Sequence, residues 1–416
     1  VYADAERGKE GNEQMSNNNN NNVRFDDVGA NSKGRAAAPK SRLVKPGEAG
    51  SAASEAPAAA APQRVVFQDA QPKRAADPAT KLGRGLDVGT ANLLSVREAN
   101  DGELTILRER NAFLEIPSQF VGNREMLTKL RVPYVQYKDR LFVLGDAAFN
   151  LANMFGTEVR RPMQHGFLSA GEQEAIPMIR FIIQRLLGEP AVQGEEVCFC
   201  IPATSIDREN DTVYHEGIVS GILRHLGFTP RAMNEGHAIV YSSLAEQDFT
   251  GIGISCGGGM FNVCVAYKTI PALTFSVARG GDWIDEHVAK VMGIPKVRAT
   301  AIKESDVDLM APKSREEEAI VLYYRNLISY VLQNFKQRFM LARDVPQFTE
   351  PVEIVIGGGT SMIGGFVDVF AQEVRKVDLP IPIAGVRLAD DPMSAVVRGC
   401  LIAANLDQRR AADIDQ

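Results

Sequence analysis

Asp87 is followed by Val88, Gly89, Thr90, Ala91 and Asn92, with apolar, strand-like runs on either side. A carboxylate beside a glycine turn has two uses. It can orient a hydrated divalent cation, and the turn lets backbone N–H groups approach an anion. The same residues also suit an ordinary hairpin with an Asp at its turn. Two more glycine turns close apolar runs further along. Gly257, Gly258 and Gly259 separate the run 251–256 from 261–265, and Gly357, Gly358 and Gly359 end the run 352–356. Two hairpins from separate halves of the chain could clamp a polyphosphate, with the third turn under its base and sugar.

The elements that must position these turns follow from pattern. Strands are expected at 104–107, 116–121 and 140–145, and the continuous apolar run 196–201 predicts a buried parallel strand. A helix is expected over 171–187, with Ile176, Ile179, Ile183, Leu186 and Leu187 on one face and Pro177 in its first turns. Residues 203–209 are expected to open another helix with an acidic first turn. The pattern also predicts helices over 237–244, 323–339 and 391–403, and a glycine turn with an Asp cap at 280–285. His215, His225 and His237 lack metal-ligand spacing, so core or surface roles are expected. Cys198 and Cys200 have no Cys-x-x-Cys partner, so the five cysteines are expected as small buried thiols.

Several short stretches together resemble the actin superfamily, and most closely its bacterial rod-shape branch, MreB with MamK nearby. They are residues 87–92, Val143–Ala147, Arg161–Gly166, Ile201–Ala203, Asn234–Gly236, Gly280–Asp285, Ile356–Thr360 and Asp391–Gly399. The resemblance runs from about 83 to 404. It implies an actin-like (ribonuclease H-like) two-lobed α/β ATPase fold with an interlobe nucleotide cleft. Lobe I would take 82–249 plus 392–407. Lobe II would take 250–391, with an outer subdomain at about 282–345. Residues 1–81 and 408–416 would be tails.

The resemblance also implies ATP and Mg2+ as cofactors. Asp87 would order the metal and join catalysis. Gly89, Thr90, Ala91, Asn92, Gly257, Gly258, Gly259, Gly357, Gly358 and Gly359 would hold the nucleotide. Lys303 and Glu304 match the pair that contacts adenine and ribose, or else form a solvated helix face. Counted from Ile201-Pro202, Glu209 falls where a Glu positions the attacking water; a surface Glu favoured by the helix dipole is the other reading. The second hairpin departs from the Asp-x-Gly-x-Gly-Thr pattern: Ser255 stands at the Asp position and Met260 at the Thr position. Losing one preorganised polar group is expected to slow hydrolysis by about 10²–10³.

Composition bounds the rest. The 416 residues, 45% hydrophobic and 24% charged, suit a chain of two or more domains. A net charge of −6 gives no electrostatic case for nucleic acid. No apolar run reaches the length of a transmembrane helix. The first residue is Val, so a cleaved leader is compatible with the sequence. Residues 1–81 carry the asparagine run 17–22 and an Ala/Pro-rich stretch, and are expected to be disordered, a tether or a short partner-binding peptide.

The reading is an ATP-binding cytoskeletal protein, self-associating into filaments, cytoplasmic or at the inner membrane face, with weak or absent hydrolysis. The second reading is an inactive actin-fold scaffold that does not polymerise alone. Sugar-kinase and chaperone readings fit less well, because the landmarks follow MreB and the chain ends soon after the last helix. The tail shows no amphipathic helix, and Met126-Leu127 suit either a membrane loop or ordinary packing.

Overall fold

The computed structural model describes residues 67–68, 80–116, 122–155, 157–209, 212–343 and 345–414. In chain order the first half holds β1 (Phe67–Gln68), β2 (Thr80–Val88), β3 (Asn92–Ala99), β4 (Leu104–Arg110), β5 (Phe113–Ile116), α1 (Gly122–Lys129), β6 (Tyr134–Tyr137), β7 (Arg140–Leu144) and α2 (Gly145–Phe155). The short hairpin β8 (Met163–Gln164) and β9 (Phe167–Leu168) follows, then α3 (Ala175–Leu187), β10 (Glu196–Ile201), α4 (Thr212–His225), β11 (Thr229–Asn234) and α5 (Glu235–Ser243). The second half holds β12 (Gly251–Cys256), β13 (Phe261–Tyr267), β14 (Ile270–Val277), α6 (Gly281–Met292), α7 (Lys296–Lys303), α8 (Arg315–Leu341), β15 (Val352–Gly357), α9 (Phe366–Val377), β16 (Ile383–Leu388) and α10 (Ala395–Ile414).

One plan is used twice. The first large sheet has the order β11-β10-β2-β3-β4 and the second the order β14-β13-β12-β15-β16. In each, three consecutive strands form an antiparallel meander, and two parallel strands extend the sheet from the first of them. The first hairpin of each meander, β2–β3 or β12–β13, carries a glycine turn at the equivalent place. A smaller sheet, β1-β6-β7-β5, completes the first lobe.

Helices α5 and α10 lie between the two large sheets. Their shared core is rich in small side chains, among them Ala238, Ala395, Ala403, Ala404, Cys198, Cys264 and Cys400. Close approach is the reason, because burial here requires backbones to meet. A Cβ added to Gly399 would lie 1.8 Å from the Ala238 carbonyl oxygen, and one on Gly85 would lie 2.3 Å from that of Val397. Most of the large aromatic side chains pack elsewhere. Phe275, Tyr324, Phe335, Phe366 and Phe370 fill the core of the second lobe, where α8 and α9 pack. All five cysteines are buried free thiols, as expected.

Several element boundaries differ from the sequence reading. Residues 203–209 are not helical, and α4 starts only at Thr212. The backbone there is already engaged: Ile206 N–H donates to the Ser276 carbonyl, and Ser276 N–H donates to that of Thr204, both at 3.0 Å. α3 begins at Ala175, later than 171, and Ile176 points outward while Ile179, Ile183, Leu186 and Leu187 are buried. α8 starts at Arg315, where the Ser314 side chain accepts from Glu317 N–H and three glutamates fill the first turn. α10 runs to Ile414, so the helix continues through 408–414.

Met126 and Leu127 lie on α1, with Leu127 fully buried. Strand pairing is also described before 82: Phe67 pairs with Val135 in the small sheet and β2 begins at Thr80. The expected disorder of 1–66 and 69–79, and the expected strand at 117–121, fall outside the described residues. No helix among the described residues is long and apolar enough to cross a membrane.

Candidate functional site

The first turn is closed by Gly89 N–H donating to the Asn92 carbonyl at 3.1 Å. Gly89 is required by this closeness, since a Cβ there would lie 2.7 Å from the Asn92 oxygen. Asn111, fully buried, takes two of the turn carbonyls: its Nδ2 donates to Gly89 O at 2.9 Å and its backbone N–H to Ala91 O at 3.0 Å. The Thr90 hydroxyl accepts from Gly166 N–H at 2.9 Å. Among the described residues, the N–H groups of Thr90 and Ala91 have no partner.

The second turn repeats this arrangement. Gly257 N–H donates to Met260 O at 2.9 Å. Gly257 O accepts from Gly281 N–H at 3.1 Å and from the Thr360 hydroxyl at 2.9 Å. Gly258 O accepts from Asp282 N–H at 2.8 Å. The N–H groups of Gly258 and Gly259 are left without a partner among the described residues. The two turns meet tip to tip: a Cβ on Gly258 would lie 3.1 Å from that of Ala91, and one on Gly259 would lie 2.4 Å from the Thr90 hydroxyl.

The third glycine turn supports the second. Gly358, with φ of 95°, donates its N–H to Pro392 O at 2.6 Å, and a Cβ on it would strike the Cys256 backbone at 2.4 Å. Lys303 is engaged here too. Its Nζ pairs with Asp285 Oδ1 at 2.8 Å and donates to Gly281 O at 3.0 Å, so it braces the segment that holds Gly257. Glu304 is exposed at the end of α7. Asp282 is not a cap: α6 is capped by Gly280 without a side-chain bond, and Asp282 pairs across the lobes with Arg161 at 3.0 Å. Met260 is 2% exposed and packs under Gly166, where a Cβ would meet its sulfur at 2.4 Å.

Beneath the turns sit two carboxylates. Asp87 Oδ1 accepts from the Cys200 thiol at 2.9 Å, and that sulfur accepts from Val88 N–H at 3.2 Å. Burial, together with the charges of Asp87 and Glu235, pushes the Cys200 thiol up, so it remains a donor. The second carboxylate is Glu235, the first residue of α5, 8% exposed and accepting from the Ser255 hydroxyl at 2.8 Å. Burial, and then the charge of Asp87, push Glu235 well above the ordinary carboxylate range; burial raises Asp87 as well.

Glu209 is not part of this group. It is exposed on the loop before α4 and lines a separate cavity of ≈ 590 Å³ with Phe167, Ser169, Arg208, Tyr214 and His215. The structure therefore brings together Asp87, Gly89, Thr90, Ala91, Gly258 and Gly259, with Gly257, Gly357, Gly358, Gly359 and Lys303 as supports. Asn92 closes the first turn through its carbonyl and begins β3.

The sequence reading missed Glu235, Cys200 and Asn111. A signal for Glu235 was present: Asn234 ends a strand and caps a helix, accepting from Gly236 N–H at 3.0 Å, which aims the next side chain at the strand ends.

Two equivalent hairpin turns meeting between two like sheets define the architecture, and a family model, described as Volactin, matches residues 82–404. The chain belongs to the Volactin family. Its fold is that of the actin superfamily. The MamK double helical filament matches at 18% identity and a TM-score of 0.57, over 78% of this Volactin-family chain and 98% of the other. MreB 5 of Spiroplasma citri bound to AMPPNP matches at 15% identity and a TM-score of 0.58, over 81% and 99%. At these identities the likeness is one of fold. No curated protein matches the sequence.

Proposed function

We propose that this chain binds ATP with Mg2+ between its lobes, assembles head to tail into cytoskeletal filaments, and hydrolyses the nucleotide slowly or not at all. One observation carries the reading: the carbonyls of Gly89, Ala91, Gly257 and Gly258 are taken by the protein, while the N–H groups of Thr90, Ala91, Gly258 and Gly259 have no partner among the described residues, on two turns that adjoin. Four N–H donors on adjoining turns suit a polyphosphate.

The residues also fit a divalent cation. Mg2+ takes one or two carboxylates and completes its shell with phosphate and water. Asp87 and Glu235 are two such groups, held by neutral donors and raised by burial, a cost that a cation relieves. Bound there, the cation would neutralise charge on the phosphates. Asp87 would hold it. Glu235, in place of Glu209, would orient the attacking water. Ser255 supplies a hydroxyl where the hairpin pattern has a carboxylate, which removes one group from that work and slows turnover. Lys303 acts on the adenosine side through the Gly281 segment.

Filament assembly is supported by the fold shared with a protein whose structure is described as a double helical filament. Head-to-tail, heterologous contacts give open polymers. The test uses the full chain with ATP and Mg2+, followed by sedimentation and phosphate release. Pelleting with little phosphate is expected. Nucleotide binding without pelleting would leave a non-polymerising scaffold, and no nucleotide binding would overturn the reading.

A further inference from the structure

The Gly89 carbonyl and the Thr90 N–H belong to one peptide unit. A trans peptide points its C=O and N–H in opposite directions, so whatever holds the oxygen also aims the hydrogen. Asn111 Nδ2 holds Gly89 O at 2.9 Å. That oxygen can only accept, so the NH2 end of the side chain must face it. The unpartnered Thr90 N–H is thereby turned away from Asn111. The second turn is built the same way. Gly257 O, in one unit with Gly258 N–H, accepts from the Thr360 hydroxyl at 2.9 Å and from Gly281 N–H at 3.1 Å. Gly258 O, in one unit with Gly259 N–H, accepts from Asp282 N–H at 2.8 Å. The N–H groups of Thr90, Gly258 and Gly259 are therefore each aimed through the carbonyl behind them.

Asn111 can aim a peptide because it is itself held. It is fully buried between β4 and β5. On one side Arg110 pairs with Asn92 in the β3–β4 ladder. On the other, Ala112 O accepts from Gly145 N–H at 2.8 Å, and Phe113 exchanges both backbone bonds with Arg160 at 2.8 and 2.9 Å. Gly89 has no side chain to resist rotation of the peptide that follows it. Among the described residues nothing but the Asn111 side chain holds its carbonyl. Without that donor the unit is free to turn over and present an oxygen to an anion.

We propose that Asn111 is a positioning residue for the nucleotide, locking the Gly89–Thr90 peptide with its N–H toward the phosphates. Thr360 is its counterpart in the second lobe, acting on the Gly257–Gly258 peptide. This rests on the reading of the two turns as a phosphate site. The two locks differ in strength. The first turn depends on one side chain, whereas Gly257 O keeps the Gly281 donor when the Thr360 hydroxyl is lost.

The experiment titrates the full chain with ATP and Mg2+ by calorimetry, well below the unfolding midpoint of each variant. Asn111→Leu keeps the bulk of the side chain and loses the donor; Asn111→Ala loses both. Each should bind ATP about tenfold more weakly than the parent. Thr360→Val should lose only about two- to threefold, since one donor remains. A side chain that merely fills space would leave Asn111→Leu at the affinity of the parent. Hydrogen–deuterium exchange without nucleotide gives the local readout. Asn111→Leu should speed exchange across 86–93 and leave 256–261 unchanged.

Parent-like ATP affinity of Asn111→Leu, or a larger loss in Thr360→Val than in the Asn111 variants, overturns the proposal. Should neither Asn111 variant fold, Thr360→Val decides, and an unchanged ATP affinity contradicts the lock. A parent chain that binds no ATP overturns the functional reading instead. The exchange comparison then decides the lock by itself, and equal rates across 86–93 overturn it.

Discussion

Asn111 takes the Gly89 and Ala91 carbonyls of the first turn, and Gly281, Asp282 and Thr360 take the Gly257 and Gly258 carbonyls of the second. Each turn is thereby braced, with two N–H groups left without a partner among the described residues. The glycine runs themselves were legible in the sequence, because turn chemistry is local. Their partners were not: Asn111 acts across 22 residues and Cys200 across 113. Glu209, counted from Ile201-Pro202, lies on a stretch that is tied to Ser276 and is not helical, which no local pattern signals.

A second residue-scale consequence concerns His215. It is 1% exposed, neither ring nitrogen has a partner among the described residues, and burial lowers its pKa from 6.5 to about 4. The unfolded chain therefore binds a proton below pH 6.5 that the folded chain refuses until about pH 4. Stability contributed by the neutral ring is full above pH 6.5 and is lost as pH falls toward 4, up to about 3 kcal/mol. Urea unfolding of His215→Phe should show a shallower loss over that window than the parent chain. Parallel curves would contradict this.

At the scale of elements, the placement of Asp87 depends on β2 lying beside β10, which brings Cys200 beneath it. Side-chain contacts reinforce this pairing. Arg84 at the start of the ladder is 5% exposed and makes a two-pronged contact with Glu195, at 2.9 and 2.8 Å, and also donates to the Leu187 carbonyl. The pair is dry, so removing one partner strands the other's charge. Glu195→Ala should cost about 3–5 kcal/mol in denaturant unfolding. A loss under about 1 kcal/mol would show that the strand pairing stands without it. Strand and helix identities here were legible from apolar period. The boundaries were not, because capping by Ser314 or pairing with Ser276 competes with propensity.

For the whole molecule, the repeated sheet plan explains why two hairpins end up face to face: equivalent places in two like lobes are opposed when α5 and α10 fill the space between the sheets. The resemblance of scattered motifs gave the fold before any contact was known, since those motifs lie at strand ends that the topology must bring together. It did not give the interlobe ties. Arg161–Asp282, Ser255–Glu235 and Asp207–Arg279 join residues far apart in sequence whose pairing no local pattern signals.

The central claim is that one ligand engages both turns. Hydrogen–deuterium exchange of the full chain, with and without ATP and Mg2+, reads this directly. Peptides covering 86–93 and 256–261 should slow together when nucleotide is added. Slowing of one without the other, or of neither, would contradict the account.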